Sequence, residues 1–188
     1  MIGRRIRDPH VDYAIVNDTK GGYLATQHLI NRGHKNILLL NGPKYISSAR
    51  ERGAGYKKAL RDNNIPLSNG LIREIFVTGE DLQQFINKII DEGTRFSAIF
   101  AFSDLIAWET IYALNNRGLK VPEDIAIIGF DDIQSRLFFP IPLTTIGTIN
   151  GRMSETAVKI LMTKIQSIKK IPACNAVIDV DLVVRTTA

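Results

Sequence analysis

Two adjacent carboxylates, Asp131 and Asp132, lie shortly after a β-branched apolar run over residues 125–128, with Gly129 and Phe130 between the run and the acids. Such a run is typical of a strand that is buried on both faces of a parallel sheet. Open α/β sheets hold their ligands beyond the carboxyl ends of their strands, which is where these two acids are expected to lie. Carboxylates accept hydrogen bonds from hydroxyl groups, so other polar side chains at the same edge would complete a binding site.

Three further segments that follow predicted strands also carry polar side chains. They are Ser47, Ser48, Arg50 and Arg52 after the second strand, Thr78 after the third, and Ser103 and Asp104 after the fourth. In a parallel sheet every strand ends at the same edge, so we expect these groups to converge with the two aspartates. Guanidinium groups offer a rigid fork of donors. The set predicts a crevice for a small polar ligand that is rich in hydroxyl or ring-nitrogen groups.

Each of these side chains also has a purely structural interpretation. Ser103 or Asp104 can cap the helix that follows, and Ser47 and Ser48 can be loop and cap residues. The arginines can be solvated or can form structural ion pairs with the two adjacent aspartates. The prediction of a binding site therefore depends on the convergence of several groups.

The sequence lacks the common patterns of catalysis and of metal binding. It has no Gly-x-Ser-x-Gly elbow and no phosphate-binding Walker loop, and no nucleophile accompanies the two aspartates to support magnesium-dependent phosphoryl chemistry. His10, His28 and His34 lack the spacing of metal ligands. Cys174 is the only cysteine, which excludes an internal disulfide and a cage of cysteine ligands. We therefore predict that the protein is not an enzyme and holds neither metal nor cofactor.

Alternating segments of two kinds must position the polar groups. Apolar runs typical of strands alternate with amphipathic helical segments four times over residues 13–130, which predicts right-handed βαβ crossovers and a doubly wound, mainly parallel sheet of the α/β class. Asp18 or Thr19 can cap the first helix. Residues 152–168 repeat apolar side chains at helical spacing. The alternation over residues 177–184 predicts one final strand.

The predicted helix over residues 105–116 is apolar around most of its circumference, whereas a helix that covers one face of a sheet needs a narrower stripe. Large exposed apolar patches usually mark interfaces. The apolar surface beyond that stripe therefore predicts a homodimer contact, with Trp108, Ile111, Tyr112 and Phe138 at the interface. The alternative is that residues 133–139 cover this helix within the chain.

Composition and charge limit the classes of function. The 188 residues are 45% hydrophobic and 23% charged, which is typical of a folded globular chain. The net charge is +5, but the basic residues are scattered, so binding of nucleic acid by this segment itself is not expected. No apolar run is long enough to span a membrane, and residues 1–9 lack the apolar core of a secretory signal. We therefore predict a cytoplasmic protein.

Several motifs match a known family in both order and spacing. They are residues 47–56 (SSARERGAGY), 100–104 (FAFSD), 121–133 (VPEDIAIIGFDDI), 142–146 (PLTTI) and 181–185 (DLVVR). Together they resemble the lactose-repressor (LacI/GalR) family of bacterial transcription regulators across the whole chain.

The resemblance implies a type I, periplasmic-binding-protein-like fold, in which an effector binds between two α/β lobes. Residues 15–147 and 173–188 would form the C-terminal lobe, and residues 1–14 and 148–172 would be a remnant of the N-terminal lobe. The family's helix-turn-helix DNA-binding domain is absent from this sequence, so we expect a fragment that senses an effector, dimerises and meets operator DNA only through that missing domain. The helix over residues 152–168 is then expected to expose apolar side chains.

The resemblance also assigns residues to the effector site. By position Arg52 and Asp131 match effector ligands of the family, and we expect Ser103 and Arg50 to join them around a sugar-like effector. Ser103 replaces the family's usual asparagine, which leaves the identity of the effector open. We expect Arg52→Ala or Asp131→Ala to abolish the response to the effector and to leave folding intact. The alternative function is an extracytoplasmic sugar-binding protein of the same fold.

Overall fold

The computed structural model describes residues 1–6, 8–76, 82–133, 141–148, 152–167 and 171–188. Strands and helices alternate along these ranges. In chain order they are β1 (Tyr13–Val16), α1 (Asp18–Asn31), β2 (Ile37–Asn41), α2 (Ser47–Asp62), a 3-10 turn (Asn69–Leu71), β3 (Ile72–Glu74), α3 (Leu82–Asp91), β4 (Ala98–Ala101), α4 (Asp104–Asn116), β5 (Ala126–Ile128), β6 (Thr145–Gly147), α5 (Arg152–Gln166), β7 (Asn175–Ile178) and β8 (Asp181–Val183).

A four-stranded parallel sheet in the order β3-β2-β4-β5 forms the centre of the fold. Every residue of β2 and β4 is buried, which is why these strands are continuous apolar runs rather than alternating ones. The parallel sheet and the α/β class are as predicted. All four strands deliver the residues that follow them to one edge, which we call the carboxyl edge.

The two faces of this sheet belong to two separate cores. Ile37 and Leu39 of β2 pack with residues of α1 and α2, including Leu29 and Tyr56. The intervening side chains of the same strand, such as Leu38, pack with α3 and α4. Successive strand residues point to opposite faces, so one apolar run supplies both cores.

Helices α1 and α2 approach each other closely through glycine. A Cβ atom at Gly22 would collide with the backbone carbonyl of Arg52, and one at Gly55 would collide with the backbone of Thr19 and Tyr23. Only glycine allows this backbone-to-backbone packing. The contact brings the first turn of α1 beside the second turn of α2, at the carboxyl edge.

The pairing of the strands outside the central sheet differs from two predictions. β1 was expected to open the series of βαβ units, but it pairs in parallel with β7, outside the central sheet. Residues 177–184 were expected to form one strand, yet the chain changes partner there, because β7 pairs with β1 and β8 pairs antiparallel with β6. Alternation reveals an extended segment and does not specify its partner, so neither outcome was readable from the pattern.

Helix α5 packs against β1 and β7 and has no fully buried residue. Its exposed apolar side chains confirm the expectation for this helix, and they are Val158, Leu161, Met162 and Ile165. The division of the chain into two lobes remains a prediction. Among the described residues, no helix is both long enough and apolar enough to cross a bilayer.

Helix α4 exposes only part of the predicted dimer contact. Ile111 is only 2% exposed and belongs to the core, so its assignment to an interface is corrected. Trp108 is partly buried, and its indole nitrogen donates to the carbonyl of Ile141, 3.4 Å away. Leu105 and Tyr112 remain 54% and 63% exposed. Phe138, the fourth predicted contact, lies outside the described residues, as do most of residues 133–139.

Candidate functional site

Arg52 is the centre of the polar cluster at the carboxyl edge. Its Nε donates to the Oδ1 of Asp18 over 2.7 Å, and its Nη1 donates to the carbonyl of Phe102 at the end of β4. Its Nη2 lies 3.4 Å from the Oδ1 of Asp131, which follows β5. One guanidinium therefore joins α1, α2 and the ends of two strands, and the predicted convergence of Arg52 and Asp131 is present.

Aromatic rings enclose the same guanidinium. The Cζ of Arg52 lies 3.5 Å from the centre of the Phe130 ring and 4.6 Å from the centre of the Phe102 ring. Guanidinium groups are attracted to the faces of aromatic rings, and the attraction strengthens where water is excluded. The side chain is only 7% exposed. Arg52 is thus held in place by stacking as well as by hydrogen bonds.

Asp18 is a member of this cluster that sequence reasoning missed as a site residue. It was considered as a helix cap, but Asn17 caps α1 by accepting from the amide of Lys20, and Asp18 lies inside the first turn. Burial raises the pKa of Asp18, and the charge of Arg52 opposes that shift. A signal was present, because Asp18 shares a helical stripe with the buried residues Ala25 and Leu29.

The two adjacent aspartates have different surroundings. The side chain of Asp131 is 43% exposed beside the buried guanidinium of Arg52, so it is presented to solvent at the edge. The Oδ1 of Asp132 accepts from Arg185 over 2.6 Å, which ties this turn to the C-terminal segment. Asp131 is therefore the acid that is available to a ligand, while Asp132 is engaged within the chain.

Ser103 and Asp104 follow β4 at the same edge and are close to the turn after β5. Ser103 caps α4, since its Oγ accepts from the amide of Ile106 over 3.4 Å. Asp104 is fully buried and accepts hydrogen bonds from the hydroxyl of Thr145 and the amide of Ile133. The structural alternative considered for Ser103 is thus realised, and its role as a ligand stays a prediction.

Arg50 is not brought to this cluster. Its Nη1 donates to the carbonyls of Lys44 and Tyr45, and it borders a 550 Å³ recess that it shares with Arg5 and Glu51. The reason is helical geometry, because residues two apart on α2 point in nearly opposite directions. Two other edge predictions also change: Ser47 and Ser48 lie inside α2, which begins at Ser47, and Thr78 lies outside the described residues.

A second recess of 290 Å³ lies directly beside Asp131 and Asp132. The end of β6, Thr148 just after it, and Met153 and Ser154 at the start of α5 line its other walls. Its volume is near the lower end of the range for small-molecule sites. The arrangement offers hydrogen-bond acceptors next to apolar and aromatic surface. Within the described ranges, no group of three or more acidic, histidine or cysteine side chains is arranged to hold a metal ion.

Comparison with known proteins places this geometry in a family context. The sequence model of the periplasmic binding protein-like domain family matches residues 26–188. A repressor from Actinobacillus pleuropneumoniae, named HTH-type transcriptional repressor PurR, is 40% identical over 159 residues, which are 85% of this chain and 47% of the relative. The protein of the same name from Aliivibrio fischeri is 38% identical over 160 residues, or 84% and 48% of the two chains. The chain thus spans about half the length of these curated relatives.

Solved structures of regulators have the same fold. A complex of the transcriptional regulator CelR with cellobiose aligns with a TM-score of 0.88 and 26% identity, over 100% of this chain and 57% of that one. A LacI-family regulator from Enterococcus faecium with bound ribose aligns with a TM-score of 0.84 and 26% identity, over 99% and 68%. A dimeric Lac repressor with a C-terminal deletion aligns with a TM-score of 0.82 and 30% identity, over 99% and 67%. The predicted fold class is confirmed.

Proposed function

The chain belongs to the periplasmic binding protein-like domain family, as an effector-binding domain of the LacI/GalR type, and we propose that it binds a small polar effector at its carboxyl edge. The observation that carries the proposal is the exposed carboxylate of Asp131 against a buried guanidinium. Such a carboxylate can accept two hydrogen bonds in a fixed direction. Preorganisation of this kind lowers the cost of ordering the site when a ligand binds.

In this proposal Asp131 contacts the effector and Arg52 mainly holds Asp131 in place. Three of the five N–H donors of Arg52 face Asp18, Phe102 and Asp131, and the side chain has little exposed surface. Ser103 borders the edge and is proposed as a secondary contact, whereas Arg50 faces the separate recess beside Arg5 and Glu51 and is not proposed as a contact. Ser103 would contribute through its hydroxyl, which already serves as the cap of α4.

Two classes of effector fit the chemistry of the edge. Sugars offer paired hydroxyl groups to a carboxylate, and two regulators of the same fold are named with cellobiose and ribose. Planar nitrogen heterocycles offer N–H donors together with flat faces for stacking. Aromatic side chains follow β2, β3 and β4 at this edge, namely Tyr45 and Phe76, which are exposed, and Phe102, which is partly buried. We propose a sugar-like effector and take a planar base as the alternative.

We further propose that effector binding regulates transcription by a longer, cytoplasmic protein that carries a DNA-binding domain and acts as a homodimer. The curated relatives support this role, because both are named as HTH-type repressors and are about twice as long as this chain. Their names also favour a regulator over an extracytoplasmic binding protein. In such regulators, an effector acts by binding one arrangement of the lobes more tightly than another.

A ligand panel tests the site. We expect thermal melting of the chain to shift upward with one class among pentoses, disaccharides and purine bases, and isothermal titration calorimetry to give the affinity. Asp131→Asn should weaken that affinity about 10- to 100-fold, because a hydrogen bond to a charged group contributes roughly 1.5–3 kcal/mol.

Asp124→Asn is the matched control for this experiment. Asp124 is an exposed acid at the other end of β5, where it accepts from the amide of Lys120 over 2.8 Å. The control should bind like the wild type. Unchanged affinity in Asp131→Asn would remove Asp131 from the site, and a panel without any binder would count against effector binding by this chain.

A further inference from the structure

Asp104 connects three elements from a fully buried position. It is the first residue of α4, its Oδ2 accepts from the amide of Ile133 over 2.9 Å, and its Oδ1 accepts from the hydroxyl of Thr145 on β6. Its own amide donates to the carbonyl of Phe130 over 2.8 Å. A buried carboxylate needs partners of this kind, since an unpaired one is costly. These bonds join the start of α4 to the segment after β5 and to β6.

The turn held by Asp104 is the one that presents Asp131. Asp131 and Asp132 adopt φ angles of 109° and 51°, a region that residues other than glycine seldom occupy. Such a conformation costs roughly 1–3 kcal/mol per residue and persists only where the surroundings enforce it. The bond from Ile133 to Asp104 closes the turn on one side. The contact between Arg52 and Asp131 and the ion pair of Asp132 with Arg185 restrain the rest.

The same turn is joined to β6 by the backbone. The amide of Asp131 donates to the carbonyl of Ile146 over 2.8 Å, and the amide of Gly129 donates to Thr144 over 2.9 Å. Gly129 also leaves the space that the carboxylate occupies, because a Cβ atom there would collide with Asp104. The carboxylate thus bridges two segments that already run side by side.

We propose that Asp104 is a positioning residue that fixes the turn of Asp131–Ile133 against β6, so that the acid offered to the effector and the strand next to it move as one unit. The functional role of this positioning residue rests on the effector site proposed above. A ligand that displaces Asp131 would then displace Thr145 as well. That link would carry the state of the site to β6 and, through Asp104 itself, to the start of α4.

Amide hydrogen exchange, followed by NMR on the whole chain without any ligand, tests this coupling. Thr145→Val removes the hydroxyl on β6 with little change of volume and leaves the bond from Ile133 to Asp104 in place. We expect exchange at the Ile133 amide to become about tenfold faster in Thr145→Val and in Asp104→Ala. The first variant releases the carboxylate from the orientation in which it accepts from Ile133, and the second removes the carboxylate. The amides of Leu38 and Ile99 in the central sheet report global unfolding.

The ratio of the exchange rates at Ile133 and Leu38 distinguishes a positioning role of Asp104 from a contribution to overall stability. If Asp104 only stabilised the fold, Ile133 and Leu38 would speed up by the same factor. A purely local cap would leave Ile133 unchanged in Thr145→Val. Either result would overturn the proposal. Asp124→Asn, the exposed acid beyond the other end of β5, should change neither rate.

A pH titration supplies a second readout that is independent of fold stability. Burial raises the pKa of Asp104 to about 7, opposed by its two hydrogen bonds and reinforced by the charges of Asp131 and Asp132. Those two acids are themselves paired with Arg52 and Arg185. The chemical shift of the Ile133 amide should titrate near neutral pH in the wild type and should lose that transition in Asp104→Asn. Retention of the transition in the variant would remove Asp104 as its source. Neither measurement uses an effector, so failure here is distinct from failure of the ligand panel.

Discussion

Arg52 and Asp131 touch each other across the carboxyl edge but differ in burial, and that difference determines how each should respond to substitution. Asp131 has solvent on one side, so its removal should affect ligands more than folding. Arg52 has almost no exposed surface and satisfies the buried Asp18. The expectation from sequence that Arg52→Ala leaves folding intact therefore needs revision.

We expect Arg52→Met to lower the free energy of unfolding by about 3–5 kcal/mol, because it leaves the carboxylate of Asp18 buried without its partner. Combining it with Asp18→Asn should cost much less than the sum of the two single changes, because the double variant leaves no buried charge unpaired. Urea titrations of the four proteins in this double-mutant cycle measure the difference. Simple additivity would show that the pair is not energetically coupled.

Asp104 gives a prediction about pH. Because burial raises the pKa of Asp104 from about 4 to about 7, the folded state binds a proton more tightly than the unfolded state. Its stabilising contribution is complete below pH 4 and is lost as the pH rises towards 7, which amounts to up to about 4 kcal/mol. The free energy of unfolding should therefore fall between about pH 4 and pH 7.

Asp104→Asn should reduce this dependence on pH, which urea titrations at several pH values would measure. Some slope should remain, since burial also raises the pKa of Asp18. The exposed Asp124→Asn should keep the slope of the wild type. A slope in Asp104→Asn as steep as that of the wild type would assign the dependence to other groups.

The meeting of Arg52 with Asp131 was predictable because parallel strands end together and both residues follow strand-like runs. Arg50 lies elsewhere, because both arginines are on α2 and residues two apart on a helix point in nearly opposite directions. Asp18 was hidden for another reason. An acid at the start of a helix usually serves the helix itself, and only the tertiary contact with α2 turns it inward.

Among the elements, the contact of α1 with α2 depends on glycine and leads directly to Arg52. We expect Gly55→Ala to lower the free energy of unfolding by about 1–3 kcal/mol, because the added methyl group meets the backbone of α1 and must push the helices apart. The shift should also move Arg52 away from Asp18. Chemical denaturation gives the first effect, and the affinity for the effector reports the second.

Gly70→Ala is the matched control for this substitution. Its new methyl group meets only the hydroxyl of Ser68, at an ordinary contact distance of 3.7 Å. The control should leave stability within about 0.5 kcal/mol of the wild type. A Gly55→Ala protein that is equally stable would show that the two helices separate at little cost.

The elements themselves were largely predictable from periodicity, and their partners were not. Apolar runs marked β2, β4 and β5 because burial on both faces requires them. Outside the central sheet the strands pair in twos, β1 with β7 and β6 with β8. Their partners are remote in sequence, so periodicity within each strand does not reveal them. For the same reason Ile111, which looked surplus on α4, proved to be needed in the core.

At the scale of the whole molecule, α4 and α5 each expose an apolar surface among the described residues. On α4, Leu105 and Tyr112 lie two turns apart on one face of the helix. On α5, Leu161 and Ile165 lie one turn apart on one face. Each could associate with a second copy of the chain. Trp108 borders the α4 surface and is partly buried, which provides an anchor of the kind that interfaces favour.

We propose the α4 surface as the dimer contact, and sedimentation velocity over a range of concentrations tests it. Leu105→Glu with Tyr112→Asp should convert the dimer to monomer, because burial of two unpaired carboxylates opposes association. Leu67→Asp, which charges an exposed apolar residue in the loop after α2, should leave the dimer intact. If Leu161→Glu with Ile165→Asp dissociated the dimer instead, the contact would belong to α5. A chain that is monomeric at high concentration would show that neither surface suffices for self-association.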